Sequence, residues 1–373
     1  MSKVIVGLSG GVDSAVAAYL LKKEGHEVIG VMLRTWSGTD EDDPDGSGEL
    51  VEQNKCCEID DAREVAYKLG IEFYPFNCVR EFYGKVIEPF VNEYSLGRTP
   101  NPCIECNRYV KFEKLLYLAD ILKADYIATG HYAKLKKLPN GRYTVQKSDA
   151  AKKDQTYMLY KLSQEQLSRI IFPLGELSKE KVREIAKEAG IPVAEKKDSQ
   201  EICFIPDDDY AGYIRRHVEK QPEDISNKYG FEKEGDFVDK DGKVLGKHKG
   251  IIHYTIGQRK GLNLAMGHPV YVTKLDTDSN KVVIGDEEDL YSSVVYVKDY
   301  NFLKFPDIAP GESVKGIVKI RYHHPGEEAM IEKTEDDRLK LTFINPVKSA
   351  TPGQSAVFYD EDGCVIGGGI IDL

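Results

Sequence analysis

At 373 residues the chain is too long for one typical domain and implies two or three. Hydrophobic residues at 41% and charged residues at 30% fit an ordinary globular protein, and no apolar run reaches the ~18 residues of a membrane span. Seven cysteines, in a chain whose Met1-Ser2-Lys3 leads into a strand pattern without a signal peptide, argue against a disulfide scaffold and for thiol or metal chemistry in the cytoplasm.

The net charge of −11 alone argues against nucleic acid. Its distribution argues otherwise. Ser37 to Asp61 holds ten Asp or Glu and one Lys, whereas His131 to Lys153 holds seven Lys or Arg against Asp149, and Gly242 to Lys260 five against none. Phosphate neutralisation is local, so these two patches can hold a polyanion on an acidic protein.

Val4-Ile5-Val6 reads as a buried strand, Gly7 to Gly11 as a turn, and Asp13 to Lys23 as a helix closed by Gly25. Unpaired backbone N–H groups at such a helix start favour an anion. Gly10 and Gly11 permit its close approach, Ser9 and Ser14 add hydroxyls, and Asp13 suits a magnesium partner. The spacing has no Walker lysine and is not GxGxxG. SGGVDS instead resembles the loop of N-type ATP pyrophosphatases, which adenylate a substrate oxygen.

A second strand is expected over Val28 to Leu33, an acidic surface insert over Gly38 to Gln53, a helix over Glu58 to Leu69, and a third strand over Glu72 to Asn77. A helix through Phe82 to Tyr94 leads to Gly97 to Pro102, which two prolines keep out of a helix. Asn107 then caps a helix through Leu118. The strand Tyr126 to Ala128 delivers Gly130-His131, so that the first loop, Leu33 and Gly130 converge beyond the sheet's carboxyl ends. Pro139 to Arg142 is a hairpin and Ser178 to Ala189 a helix. Residues 1–206 form the first unit, 207–269 a small irregular unit, and 270–373, with short alternating apolar runs, an all-β barrel.

Cys103 and Cys106 form a Cys-x-x-Cys, with Cys203 distant in sequence. Cys78 and Cys364 read as buried small hydrophobes, and the roles of Cys56 and Cys57 stay open. The helix start beside Cys106 is expected to lower its pKa and favour a nucleophile or ligand.

SGGVDS, GRTPNPCIECN, TGHYA, KKDQTYML, DSQEICFI and GIIHYTIGQRKGL, in this order along nearly the whole chain, resemble the tRNA 2-thiouridylases of the MnmA (TrmU) family. The resemblance implies an α/β pyrophosphatase domain with a Rossmann-like parallel sheet, a small central domain and a C-terminal β-barrel. It implies an enzyme that adenylates the 2-oxygen of a tRNA wobble uridine and replaces it with sulfur. Gly7, Leu8, Ser9, Gly10, Gly11, Val12, Asp13, Ser14, Leu33 and Gly130 match the positions for ATP with Mg2+. Cys203 matches the persulfide carrier and Cys106 the nucleophile, the two forming a disulfide as sulfur leaves. His131, Lys153, Asp154, Gln155, Arg321, Tyr322 and Gln354 match tRNA contacts. The implied partners are tRNAs with Lys, Glu and Gln acceptors and a cysteine desulfurase or sulfur relay. Many relatives carry aspartate where this chain has Cys103, so an iron–sulfur cluster on Cys103, Cys106 and Cys203 stands beside the persulfide relay. An amidoligase, or a nucleotide-binding RNA module without catalysis, would keep the loop and leave the cysteines idle.

Overall fold

The computed structural model describes residues 1–35, 56–196, 202–205, 207, 209–219 and 233–372. The acidic insert, the start of DSQEICFI and the side chains of Cys56 and Cys57 lie outside the described residues.

Strands β1 (Lys3–Gly7) and β2 (Glu27–Arg34) flank helix α1 (Val12–Lys23), and β3 (Glu72–Asn77) follows α2 (Cys56–Leu69). Both β1 and β2 are apolar almost throughout, as strands covered on two faces must be. The chain then runs through α3 (Val79–Phe82), a π-helical turn and α4 (Glu88–Ser95). Next comes one continuous helical stretch of changing pitch: α5 (Pro102–Glu105), a π-helical turn over Cys106–Lys111, and α6 (Phe112–Ile121).

Here the structure corrects the sequence reading. Asn101, not Asn107, is the cap, its side chain accepting from the Cys103 N–H. Pro102 opens the helix, because the first helical residue needs no N–H donor. Asn107 is buried inside the π turn and donates to the Met158 carbonyl at 3.1 Å.

Strand β4 (Tyr126–Ala128) precedes the hairpin of β5 (Lys134–Lys137) and β6 (Tyr143–Gln146), then α7 (Gln164–Ser168), β7 (Ile170–Ile171) and α8 (Lys179–Glu188). The five-stranded sheet has the order β3-β2-β1-β4-β7, all neighbours parallel. Every ligand-facing loop therefore leaves from one edge.

After α9 (Tyr210–Glu219), strands β8 (Gly235–Val238) and β9 (Val244–His248) join β10 (Tyr271–Asp276) and β11 (Lys281–Gly285) in one sheet, order β10-β11-β8-β9. The strands just past residue 270 thus pair with the central segment. The closed antiparallel barrel starts at β12 (Tyr291–Phe302) and continues through β13 (Ser313–Lys319), β14 (Glu327–Lys333), β15 (Leu339–Lys348), β16 (Ser355–Tyr359) and β17 (Val365–Ile371).

The barrel is joined to the first domain by shared core. Leu303, Val357, Tyr359 and Val365 pack in one cluster with Tyr157, Leu159 and Tyr160. The Tyr157 hydroxyl donates to the Ser355 carbonyl at 2.7 Å, and the Thr144 hydroxyl to the Val365 carbonyl at 2.6 Å. Lys161, with a side chain 3% exposed, pairs with Glu105 at 2.7 Å and Asp299 at 2.6 Å, tying the cysteine helix to β12. Among the described residues no helix is long and apolar enough to cross a membrane.

Candidate active site

The glycine loop sits between β1 and α1, where the strand must reverse within four residues. Gly10 has φ +70°, and a Cβ there would meet the Glu58 carbonyl oxygen at 2.7 Å, so only glycine lets the loop pass α2. Inside the turn the Ser14 hydroxyl donates to the Gly11 carbonyl at 3.0 Å and accepts the Ser9 N–H at 3.1 Å. Leu8 and Val12 are buried anchors on either side. The Leu8 N–H donates to the Val31 carbonyl, fixing the loop to β2. The result is a rigid start to α1 whose dipole favours an anion.

Asp13 is more engaged than a bare metal ligand. Its carboxylate accepts from the Tyr132 hydroxyl at 2.7 Å and from Lys179 Nζ at 2.7 and 2.9 Å. Lys196 Nζ reaches the Gly10 carbonyl at 3.2 Å and pairs with Asp61 at 2.7 Å. Two ammonium groups thus border a loop that has no lysine of its own. Gly130 belongs to the same junction, because a Cβ on it would lie 2.6 Å from the Ser14 nitrogen and 2.7 Å from the Asp13 carbonyl carbon. Leu33, half-buried at the end of β2, packs with Phe76 beside this edge.

His131 accompanies Gly130 but carries no charge. Burial, aided by the Lys111 ammonium, pushes its pKa down to about 3, and Thr129 Oγ1 and Phe112 hold the ring at 2.8 Å and 5.6 Å centroid distance. Gln155 braces the loop, accepting the Tyr132 N–H through its side chain at 3.0 Å while its own N–H returns to the Tyr132 carbonyl. Asp154 accepts from Thr156 Oγ1 at 2.7 Å, and its carbonyl accepts the Tyr322 hydroxyl at 2.9 Å. Gln354 donates to the Thr99 carbonyl at 2.8 Å, docking the barrel on the segment before the cysteine helix. Arg321 donates to the Lys348 carbonyl at 3.0 Å, and Lys153 closes a turn on Ala150. The positions matched to RNA contacts therefore include the ones that hold barrel and first domain together.

Cys106 is buried, while Cys103 and Cys203 are accessible. The expected fall in the Cys106 pKa is overturned. Burial pushes that thiol up to about 12, opposed by the Lys111 ammonium, with Cys203, Cys103 and Cys78 adding to the rise. The cause is its place: Cys106 lies on the fifth residue of the helical stretch, in a core with Phe82, Phe90 and Phe204, and not at the dipole's end. The packed protein around Cys103 desolvates its thiol and raises it too, against the Lys111 ammonium, although part of its surface stays accessible. Cys78 is buried, as expected, and so is Cys364. Among the described residues no three His, Cys, Asp or Glu side chains gather closely enough to hold a metal ion. The three thiols share a neighbourhood, each bearing on the charge of Cys106 or Lys111.

Most of the chain matches three family models in succession, described as a tRNA methyl transferase HUP domain (residues 2–207), a tRNA methyl transferase PRC-barrel domain (223–286) and an aminomethyltransferase beta-barrel domain (292–371). The tRNA-specific 2-thiouridylase MnmA of Lachnoclostridium phytofermentans is 49% identical over all of this chain and 99% of its own length. That of Clostridium acetobutylicum is 48% identical over 99% of each. The chain belongs to the tRNA-specific 2-thiouridylase family. Among solved structures, the U34-tRNA thiolase NcsA from Methanococcus maripaludis with its [4Fe-4S] cluster is similar to 61% of this chain and 69% of its own, at 18% identity and a TM-score of 0.35, a likeness that carries no argument.

Near the crevice Lys111, Lys179 and Lys196 had no motif to announce them, and Tyr132, though inside TGHYA, was not singled out. Tyr132, Lys179 and Lys196 meet the glycine loop from three later segments, and only the fold brings them there. Lys111 is different: it follows Cys106 by five residues, a spacing that in a regular helix would turn it away.

Proposed function

We propose that this protein is an ATP-dependent tRNA sulfurtransferase that converts the wobble uridine to 2-thiouridine. The observation that carries the reading is that a glycine loop suited to a triphosphate and a group of three cysteines, Cys103 and Cys203 accessible and Cys106 buried behind them, lie at the carboxyl edge of one parallel sheet, near His131 after β4 and Cys78 after β3. Methyl transfer, which the model descriptions name, would leave both idle.

In this reading Gly7 to Ser14, Leu33 and Gly130 receive ATP. Asp13 is one carboxylate in reach of the phosphates, enough for a Mg2+ that keeps most of its ligands from the triphosphate and water. The ion would screen phosphate charge. Lys179 and Lys196 supply further positive charge to the phosphates and leaving pyrophosphate, as transition-state charge stabilisation requires. The uracil 2-oxygen attacks the α-phosphorus, pyrophosphate leaves and the N3 proton is lost. The terminal sulfur of a Cys203 persulfide attacks C2 and expels AMP, leaving the uracil joined through that sulfur to Cys203. The Cys106 thiolate then attacks the Cys203 Sγ; a Cys106–Cys203 disulfide forms, and the 2-thiouracil anion leaves and regains a proton at N3. A thiol reductant returns the disulfide to two thiols, and a cysteine desulfurase or relay reloads Cys203.

The presence of Cys103 in place of a carboxylate favours a second reading, a cluster on Cys103, Cys106 and Cys203. The donor type suits iron, but no three such side chains among the described residues gather around a single metal ion, and we derive no step through a cluster. Residues 207 onward, with Lys153 to Gln155, Arg321, Tyr322 and Gln354, serve the RNA, with Lys, Glu and Gln tRNAs as the expected substrates and the cytoplasm as the site of action. The test is pyrophosphate release and 2-thiouridine formation with a persulfide donor, measured with and without tRNA. Release that requires both ATP and tRNA, from iron-free protein, is the expected result; release with ATP and an ammonia donor but without tRNA would overturn it.

A further inference from the structure

Lys111 closes the π-helical turn that Cys106 opens. In a regular α-helix two residues five apart point roughly 140° away from each other. Here the Phe112 N–H bonds back to the Asn107 carbonyl, an i→i+5 turn that returns Lys111 toward the side of Cys106. Cys103, three residues before Cys106, lies along the same helical stretch. The irregular turn thus sets an ammonium against a pair of thiols.

The surroundings give that ammonium no other employment. Lys111 is half-buried, and among the described residues it has neither a carboxylate partner nor a hydrogen-bond acceptor. The nearby Glu105 is already held by Lys161. The ionisable groups that bear on Lys111 are the thiols of Cys106, Cys103 and Cys203, which raise its pKa against the burial that lowers it. From the other elements packed around these thiols come Cys78 at the end of β3, Tyr213 of α9 beside Cys203, and Tyr322 of the barrel beside Cys103. His131, from the loop after β4, also faces Lys111 and stays neutral. Lys114 bears on Cys78 and Arg216 on Tyr213, and the cation that bears on Cys103 and Cys106 is Lys111.

We propose that Lys111 is the counter-cation of the sulfur site, a positioning residue that holds sulfur there in anionic form and draws anionic sulfur compounds into the crevice. The proposal rests on the sulfur-transfer reading of the cysteines and deepens it. A half-buried ammonium without a carboxylate partner is partly desolvated at a cost, so its place is explained by an anion that occupies the site during turnover. The perthiolate of Cys203 and the thiolate of Cys106 are anions of that kind.

The test uses the full-length protein without ATP or tRNA, so its outcome is separable from that of the tRNA reading. Thiol–disulfide exchange at Cys106 and Cys203 is followed with a dianionic aromatic disulfide, 5,5′-dithiobis(2-nitrobenzoate), and with a neutral one, 2,2′-dithiodipyridine. In each reaction the protein thiolate attacks one sulfur, a mixed disulfide forms and the aryl thiolate departs. The ratio of the two rates cancels the thiolate fraction and reports the charge felt by the reagent. Lys111→Gln should lower this ratio at least about fivefold, and Lys111→Arg should keep it within about twofold. An unchanged ratio in Lys111→Gln, or an equal loss in Lys111→Arg, overturns the proposal. Should Lys111→Gln not fold, the wild-type ratio at Cys106 is compared between native protein and protein in urea. A native ratio several-fold above the unfolded one supports the cation, and equality rejects it.

Discussion

A single methyl group at position 130 would collide with the start of α1, 2.6 Å from the Ser14 nitrogen, and the neighbours it meets are backbone that cannot swing aside. Gly130→Ala should therefore cut tRNA-dependent pyrophosphate release by about two orders of magnitude, on the scale of displaced transition-state donors, while tRNA affinity stays near wild type. Equal losses in both would show that the loop has no separate ATP role. Asp13→Ala should behave in the same way, and retained thiolation in it would remove the loop from the mechanism. His131 supplies a different readout. Its folded pKa near 3 lies below the ordinary 6.5, so its contribution to stability is fully present above about pH 6.5 and is lost as pH falls toward 3. The drop in guanidinium midpoint between pH 7 and pH 4 should be smaller in His131→Gln than in wild type; identical drops would contradict its burial as neutral imidazole. The Cys106 thiol, held at about 12, has the opposite window: its contribution is present below about pH 9 and is lost between there and pH 12.

Elements were legible where a pattern repeats and obscure where one residue changes pitch. The strand Glu72–Asn77 and the helix α8 follow from patterns that the sequence carries on its face, although Ser178, read as helical, is the cap whose hydroxyl accepts the Lys181 N–H. The cysteine helix does not. Its start was hidden because Pro102 looks like a breaker and is in fact suited to a first turn, and because the π turn over Cys106–Lys111 has no residue signature. From that misplaced start followed the wrong direction for the Cys106 pKa, since a dipole argument applies only within the first turn. The glycine loop was readable as an anion site, but its partners Lys179 and Lys196 arrive through tertiary contacts more than 160 residues away in sequence. At this scale Asn101→Ala should cost about 1 kcal/mol and speed amide exchange of Cys103 to Asn107, because the side-chain acceptor of the Cys103 N–H is lost. Unchanged exchange there would mean that the helix start is held by packing alone.

Across the whole molecule, charge and core answer to different partners. The acidic total does not decide RNA binding if the basic stretches His131 to Lys153 and Gly242 to Lys260 face the phosphates. Affinity for tRNA should fall at least about tenfold between 50 and 200 mM salt, through counterion release, and a flat salt response would remove these patches from the interface. The barrel and first domain, in contrast, are joined by apolar burial with a few enclosed polar links. One of these, the Lys161 ammonium between Glu105 and Asp299, reaches from the residue just before Cys106 to the first barrel strand. Removing Lys161 or Glu105, the enclosed members, typically costs about 3 kcal/mol, because the others keep charges they can no longer share, while loss of Asp299, whose side chain is 53% exposed, costs less. Seen as inheritance, positions 105, 161 and 299 are then one character written at three places in the chain. A lineage can exchange the set for neutral residues or retain it, but passing through a single replacement means surviving a weakened junction, so across relatives these three positions should change together.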